Sequence, residues 1–430
     1  MKNLILILVS IPTVLFGQGW ERTYGGNDYD YGNSVQQTTD GGYIITGYTT
    51  SFGNGWSDVY LIKTDGNGDT LWTKTYGGGG IDDGRSIQQT TDGGYIITGS
   101  TSSFGNGLSD VYLIKTDGNG DTLWTKAFGG GKNDIGFSVQ QTTDGGYIVT
   151  GSTDSFGNGL LDVYLIKTDE NGDALWTKTF GGGENDDGLS VQQTADGGYI
   201  VTGLTYSFGA NVYLIKTDSN GELVWAEFYG GDDVDGGWSG QQTNDGGYII
   251  AGYSSSFGNG EVDFYLVKTD LNGDTLWTRT YGGEANDKGF YVQQTSDGGY
   301  ILTGFTSSFG HGSIDLYLIK TDDIGDTLWT KKFGGGYGDA GTSVQQTTDG
   351  GFIIVGYTES FGNGEFDIYL IKTDENGIVT FTSEIPVPNP NSNLLKIVDL
   401  TGRVITKPIK DQPYIEIYDD GTTKKKMKLR

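Results

Sequence analysis

The stretch Ser34-Val35-Gln36-Gln37-Thr38-Thr39-Asp40-Gly41-Gly42-Tyr43-Ile44-Ile45-Thr46-Gly47-Tyr48 decides the fold, because close copies of it return along the whole chain. Its central Asp-Gly-Gly recurs with the aspartate at positions 40, 92, 144, 196, 245, 297 and 349, so that one repeat takes about fifty residues. Repeats of this length with strand-like content are typical of a β-propeller, in which each repeat forms one blade.

Each repeat predicts four strands joined by tight turns. In the first copy, strand A is Ser34–Thr38, strand B is Tyr43–Tyr48, strand C is Val59–Lys63 and strand D is Leu71–Tyr76. Asp-Gly between A and B and Asn-Gly between C and D are strong hairpin signals. The nearly continuous apolar runs of B and C fit a sheet that is covered on both faces. We therefore expect an all-β, seven-bladed β-propeller of four-stranded antiparallel blades, followed by a small C-terminal β-module.

The two ends of the repeat region indicate how the ring closes. A tryptophan strand, Trp20–Tyr24, precedes the first A strand, whereas the last C strand is followed by residues 378–381 without a tryptophan. The simplest ring gives Trp20–Tyr24 to the last blade, which hides two strand edges. Residues 378–381 compete for the same place, and the sequence leaves both possibilities open.

Over residues 20–381 the repeats resemble the bacterial β-propeller repeats called SBBP-like. The resemblance rests on the Gly-Gly after strand D, the Asp-Gly-Gly-Tyr-Ile turn and the Lys-Thr-Asp-x-x-Gly-Asp turn. It implies the fold and says little about activity, because propellers carry many functions.

Residues 1–17 have the pattern of a signal peptide. Lys2 forms a short positive region, Leu4–Phe16 an apolar core, and Gly17 a small residue before a cut ahead of Gln18. The core is too short to span a membrane, and we expect no membrane insertion. The sequence thus predicts a signal peptide at 1–17, a propeller at 18–383 and a C-terminal domain at 384–430, in a protein that is extracellular or on the outer cell surface.

The C-terminal segment differs in composition, since it holds five of the six prolines and little glycine. Pro388-Asn389-Pro390, then Asp399–Val404, then the basic end Lys424–Arg430 resemble the type A C-terminal sorting domain of the type IX secretion system. The resemblance implies the type IX secretion machinery as a partner, passage across the outer membrane and often attachment to surface lipopolysaccharide. The segment is short, because the strand usually found after Pro-Asn-Pro is nearly absent. Alternatively, the basic end is only a solvated charged tail.

Charge and composition exclude several classes of function. A net charge of −28 repels nucleic acid and anionic lipid, so we expect no nucleic-acid partner. The absence of cysteine excludes disulfides and thiol catalysis, and a single histidine gives no support to a zinc site or a Ser-His-Asp triad. Aspartate is so frequent that no catalytic carboxylate pair stands out. We therefore expect a protein that is not an enzyme and that has no cofactor, with calcium as the one possibility left open.

One aspartate per repeat, two residues before a repeated glycine, is the candidate for calcium. These residues are Asp30, Asp82, Asp134, Asp186, Asp235, Asp287 and Asp339. They can form a ring of carboxylates at the channel mouth that binds a cation. They can instead cap a turn by accepting hydrogen bonds from backbone N–H groups. Their presence in every blade favours the structural role, and no metal site is assigned.

The repeats differ mainly in the connections on one face of the ring. The A–B and C–D turns are nearly identical, whereas the D–A and B–C connections vary and include a three-residue deletion near Ala210 and Asn211. A scaffold with one constant face and one variable face indicates recognition on the variable face.

One position is especially uneven, the residue before the strand A serine. It reads Asn33, Arg85, Phe137, Leu189, Trp238, Phe290 and Thr342. Large aromatic side chains there can stack on a sugar or a peptide, or can simply pack between blades. We therefore name five candidate ligand-binding residues, which are Arg85, Phe137, Trp238, Phe290 and, in a B–C loop, Trp56.

The function predicted from these features is non-catalytic binding or adhesion outside the cell, with a glycan or a protein as partner on the variable face. Two alternatives remain. One is a secreted carbohydrate-active enzyme that uses carboxylates on that face. The other is a purely structural surface repeat protein without a discrete site.

Overall fold

The computed structural model describes residues 19–379, 394–399, 404–405, 407, 413–418 and 423–427, and within them every regular element is a strand. None of the described residues forms a helix that could cross a membrane. The chain divides between residues 379 and 380 into two compact units. The predicted signal peptide, residues 1–17, lies outside the described residues.

The first unit consists of seven four-stranded sheets, each a meander A-B-C-D of antiparallel strands. The A strands are β2 (Asp30–Gln37), β6 (Asp82–Gln89), β10 (Asp134–Gln141), β14 (Asp186–Gln193), β18 (Asp235–Gln242), β22 (Asp287–Gln294) and β26 (Asp339–Gln346). The B strands are β3 (Tyr43–Thr49), β7 (Tyr95–Thr101), β11 (Tyr147–Thr153), β15 (Tyr199–Thr205), β19 (Tyr248–Ser254), β23 (Tyr300–Thr306) and β27 (Phe352–Thr358).

The remaining two strands of each sheet follow the same order. The C strands are β4 (Asp58–Thr64), β8 (Asp110–Thr116), β12 (Asp162–Thr168), β16 (Asn211–Thr217), β20 (Asp263–Thr269), β24 (Asp315–Thr321) and β28 (Asp367–Thr373). The D strands are β5 (Thr70–Tyr76), β9 (Thr122–Phe128), β13 (Ala174–Phe180), β17 (Leu223–Tyr229), β21 (Thr275–Tyr281), β25 (Thr327–Phe333) and β1 (Trp20–Tyr24). The prediction of an all-β, seven-bladed propeller is confirmed.

The N-terminal strand closes the ring. β1 pairs with β28 in antiparallel register from Trp20 opposite Lys372 to Tyr24 opposite Ile368. Ile378 and Val379 follow the last blade without entering a strand, and residues 380 and 381 lie outside the described residues. The outermost place of the seventh blade therefore belongs to the strand that comes first in the chain.

The hydrophobic core lies between consecutive blades. All seven residues of β4 are buried, because strand C is covered by a neighbouring blade on each side. Ile44, Leu61 and Ile97, for example, belong to one buried cluster between the first two blades, and Trp72 packs edge-on against Tyr95 of the next blade. Burial on both faces explains the continuous apolar runs of strands B and C.

The Asp-Gly-Gly turn is held by a buried lysine. Asp40 Oδ1 accepts hydrogen bonds from Thr38 Oγ1 at 2.5 Å, from the Gly42 backbone at 3.0 Å and from Lys63 Nζ at 3.1 Å. Partial burial raises the pKa of Asp40, but these hydrogen bonds and the lysine charge outweigh it and lower the pKa to about 2. Gly41 has φ of +82°, which a residue with a side chain rarely adopts.

The second unit is a four-stranded sheet in the order β30-β29-β31-β32. Its strands are β29 (Leu394–Asp399), β30 (Val404–Ile405), β31 (Pro413–Tyr418) and β32 (Thr423–Met427). They pair in antiparallel register, so this segment has the β-structure expected of a small C-terminal module.

Candidate functional site

A β-bulge in every A strand exposes the variable residue. In the pairing of β10 with β11 the register shifts between Gly136 and Ser138, so that Phe137 has no partner on the neighbouring strand. The same shift occurs in all seven A strands. A bulge places two residues opposite one and redirects the extra side chain. The variable residue therefore lies in the middle of strand A.

The seven bulged side chains line one cavity of about 290 Å³ in the centre of the ring. Arg85, Phe137, Trp238 and Phe290 are all among the lining residues, so four of the five predicted residues meet in one place. Trp56 does not join them, because it lies in the B–C loop of the first blade with 78% of its surface exposed. The serines that follow the bulge line the same cavity and are Ser34, Ser86, Ser138, Ser190, Ser239 and Ser343, with Tyr291 in the sixth blade.

The predicted residues contact one another across blade boundaries while they line the cavity. The guanidinium carbon of Arg85 lies 4.8 Å from the centre of the Phe137 ring, and Trp238 meets Phe290 edge-to-face at 5.1 Å. Arg85 Nη2 is 3.9 Å from the Asp83 carboxylate. Arg85 Nε and Trp238 Nε1 are buried and have no hydrogen-bond partner among the described residues.

A second set of variable residues lies one step closer to the variable face, and the sequence analysis did not identify it. These residues precede the glycine of each A strand and pair with strand B, as Tyr31 does with Tyr48. The ring of Tyr31 stacks on that of Tyr48, with 4.8 Å between the ring centres. Its centre is also 4.8 Å from that of Tyr357 and 5.1 Å from that of Phe366. The sequence signal for this second set is the same as for the bulged residue. The position varies between repeats, whereas the residues on either side of it do not.

One carboxylate of this second set lies beside Arg85. Burial raises the pKa of Asp83, whereas the charge of Arg85 and a hydrogen bond from Ser57 Oγ at 3.1 Å lower it. Asp187 occupies the same position in the fourth blade, and burial raises its pKa while the hydroxyl of Ser152 donates a hydrogen bond to it. The cavity thus has a polar rim that differs from blade to blade.

A belt of glutamines lies on the opposite side of the serines, toward the constant face. Gln36 Oε1 accepts a hydrogen bond from the backbone of Gln89 in the next blade at 2.6 Å, and Gln89 Oε1 accepts one from Thr39 at 2.9 Å. The equivalent pair of hydrogen bonds recurs at every junction, including the one between the last blade and the first. Gln36 and its equivalents in the other blades line a second cavity of about 290 Å³. Their side chains are used to join blades.

The seven aspartates that the sequence offered as a cation ring lie elsewhere. Asp82 is buried at a blade junction, where Oδ2 accepts hydrogen bonds from the Gly78 backbone at 2.8 Å and from Ser103 Oγ at 2.5 Å. None of the seven is among the residues that line the central cavity. Within the described parts of the chain no group of three or more histidines or carboxylates is placed to hold a metal ion.

Each of these aspartates faces a second buried side chain across a glycine. A Cβ atom on Gly77 would lie 2.1 Å from Asp58 Oδ1 and 2.6 Å from Asp82 Oδ2. The two oxygens are therefore within roughly 5 Å of each other, where like charges disfavour ionisation. Burial raises the pKa of Asp58, and the charge of Asp82 adds to the effect. The junction of the fourth and fifth blades differs, because Asn211 takes the place of the first aspartate.

Comparison with known sequences finds a relative of part of this chain. No family model matches the chain. The regulatory protein FlaEY of Caulobacter vibrioides is 27% identical over 198 residues, which are 40% of this chain and 20% of that protein. The chain thus spans about a fifth of the length of this curated relative.

Two solved structures are similar to this chain. The WD40 domain of Pan2 from Neurospora crassa is similar with a TM-score of 0.50 at 11% identity, over 79% of this chain and 88% of that domain. Sqt1 from Chaetomium thermophilum has a TM-score of 0.47 at 10% identity, over 95% of this chain and 100% of that one. At such identity the Pan2 likeness shows the fold alone.

Proposed function

We propose that this chain is a secreted or cell-surface binding protein that recognises a glycan or a protein, without catalysis, through the central cavity and its rim. One observation carries the proposal. Seven positions that are equivalent in the repeat hold six different residue types and converge on one cavity. Residues that only hold blades together have no reason to differ between blades, whereas an asymmetric ligand requires such differences.

The polar chemistry of the blade junctions also favours binding over hydrolysis. The aspartates that come closest in pairs, such as Asp58 and Asp82, are buried and accept hydrogen bonds from their own blade. A hydrolase that uses two carboxylates needs both of them beside the substrate. The aromatic and cationic side chains, in contrast, line the open centre of the ring.

Export is the second part of the proposal, and it rests on the sequence at both ends of the chain. Residues 1–17 would direct the protein out of the cytoplasm, and residues 384–430 would be handed to the type IX secretion machinery. Removing residues 384–430 is expected to abolish surface display in a strain that has this machinery, with the melting temperature of the purified propeller unchanged. If surface display persists without residues 384–430, this segment is not a secretion signal.

Binding is tested on glycan and peptide arrays with the wild type and two tryptophan variants. Trp238→Ala is expected to weaken a specific signal by about 1–3 kcal/mol, the usual range for a well-placed contact residue. Trp56→Ala is expected to leave the signal intact, because Trp56 lies outside the cavity. Melting curves confirm that both variants fold. If the signal is lost in Trp56→Ala and kept in Trp238→Ala, the binding site lies in the B–C loops and not in the cavity.

A further inference from the structure

The cavity carries a single positive charge. Among the described residues that line it, Arg85 is the one charged side chain, and the others are aromatic, aliphatic, hydroxyl or amide groups. This cation belongs to a chain with a net charge of −28. The charge in the lining of the cavity is therefore opposite in sign to the net charge of the protein.

Arg85 is only weakly engaged by the protein itself. Its one ion-pair contact, to Asp83, is 3.9 Å long, beyond the usual length of a charge-assisted hydrogen bond. Arg85 Nε has no partner among the described residues, and the guanidinium group rests on the face of Phe137. A guanidinium that lies over an aromatic ring, and whose outer N–H groups make no hydrogen bond with the described residues, suits a two-point contact with a carboxylate.

The rest of the cavity suits a sugar better than the end of a polypeptide. Leu189, Trp238 and Phe290 provide apolar surface on the blades away from Arg85, while a ring of serine hydroxyls lies next to them. Ser86 Oγ accepts a hydrogen bond from the Val139 backbone of the next blade at 3.3 Å, which leaves its O–H group able to donate to a ligand. A sugar presents one apolar face and several hydroxyl groups that can accept such hydrogen bonds. The volume of about 290 Å³ is at the small end for ligand pockets and fits one ring-sized unit.

We infer that the cavity holds one acidic sugar unit, of the hexuronate type, at the end of a glycan. Its carboxylate pairs with Arg85, its ring stacks on the Trp238–Phe290 side, and its hydroxyls bond to the serine ring. This inference rests on the proposed binding function and adds the charge and the class of the ligand. The carboxyl end of a polypeptide offers the same charge, and the experiment separates the two sources.

The test uses matched small probes and calorimetric titration of the full chain. The methyl glycosides of glucuronic, galacturonic and mannuronic acid are each compared with the neutral hexose glycoside of the same configuration. At least one acid is expected to bind about tenfold or more tightly than its hexose, the value of one strong charge-assisted contact. N-acetylphenylalanine represents the polypeptide end and is expected to bind more weakly than that acid.

Two arginine variants show whether the preference comes from the cavity. Arg85→Gln is expected to bring the acid and its hexose to similar affinity, whereas Arg279→Gln, on the outer strand β21, is expected to keep the preference. Asp83→Asn removes the carboxylate that competes for Arg85 and is expected to tighten binding of the acid. It also tests the inference if Arg85→Gln does not fold.

Several results would overturn the inference. They are equal affinity for acids and hexoses in the wild type, an acid preference that survives in Arg85→Gln, no binding of any uronide, or tighter binding of N-acetylphenylalanine than of the uronides. Array signals for neutral glycans that depend on Trp238 would overturn the acidic ligand and leave the binding function standing. If no glycan or peptide array gives a specific signal, both the proposed binding function and the acidic ligand are overturned.

Discussion

Replacing Asp58 by asparagine is expected to stabilise the ring at neutral pH. Asp58 and Asp82 are both buried and face each other across Gly77 at the junction of the first two blades. Two negative charges in this position repel each other, and neither can turn to solvent. The chain itself holds the neutral version of this pair, because Asn211 faces Asp235 at another junction.

The size of the effect follows from the geometry. Two unit charges about 5 Å apart interact by about 3 kcal/mol at an effective dielectric constant of about 20. Asp58 Oδ2 also accepts a hydrogen bond of 2.7 Å from the Asn54 backbone, and an amide oxygen in its place would lose about 1 kcal/mol of that bond. The net gain for Asp58→Asn is therefore about 1–2 kcal/mol, which corresponds to a rise of a few degrees in the melting midpoint.

The pH dependence of this gain has a definite sign. Because the pKa of Asp58 is raised in the folded chain, the folded state holds more protons than the unfolded state just above the ordinary value of about 3.9. Stability of the wild type therefore increases as the pH falls through the raised pKa. The advantage of Asp58→Asn is expected to shrink between pH 7 and about pH 4.5, since protonation relieves the same repulsion.

The assay is thermal and guanidinium unfolding at both pH values, with Asn211→Asp as the reverse variant. Asn211→Asp creates the missing pair against Asp235 and is expected to destabilise the ring at pH 7 by a similar amount, and less at low pH. Asp58→Asn that destabilises equally at both pH values, together with a neutral or stabilising Asn211→Asp, would refute the reasoning from charge repulsion.

Three further predictions concern other repeated contacts. The lowered pKa of Asp40 means that stability is lost as the pH falls from about 4 toward 2, and Asp40→Asn is expected to flatten this loss in guanidinium titrations. Gln88→Ala removes the acceptor of the Gln141 backbone and is expected to cost about 1–2 kcal/mol, against no change for the exposed Thr75→Ala. Deleting Trp20–Tyr24 uncovers the edge of β28 and is expected to lower the melting temperature and produce oligomers, as seen by light scattering.

The repeat made the blades predictable because its signals are local. Asp-Gly and Asn-Gly turns and the apolar runs of strands B and C act within a few residues, so that strand number and order follow from one copy. The start of strand A was placed four residues too late, at Ser34 and not at Asp30. The bulge explains this error, since an extra residue at Asn33 breaks the alternation that identifies a strand.

The residues of the candidate site were predictable in part, for a related reason. Differences between repeats pointed to Arg85, Phe137, Trp238 and Phe290, and these residues do line one cavity. The contact of Gln36 with the next blade was not visible in the sequence, because it joins strands of different repeats and depends on the geometry of the ring. The pairing of each buried aspartate, such as Asp82 with Asp58, could not be predicted from the sequence either, because it also joins different repeats.

The seventh blade combines the first strand of the chain with the last three strands of the ring, and this determines the order of folding. Blades one to six are each made from one uninterrupted run of chain, and each can form once its own run is available. The seventh cannot, because Glu21 meets Tyr369, 348 positions later. During synthesis the strand that emerges first must wait for the last, and contacts so distant in sequence form slowly. Until that late event an open strand edge persists, so the greatest hazard of aggregation comes at the end of folding, when most of the protein is already built.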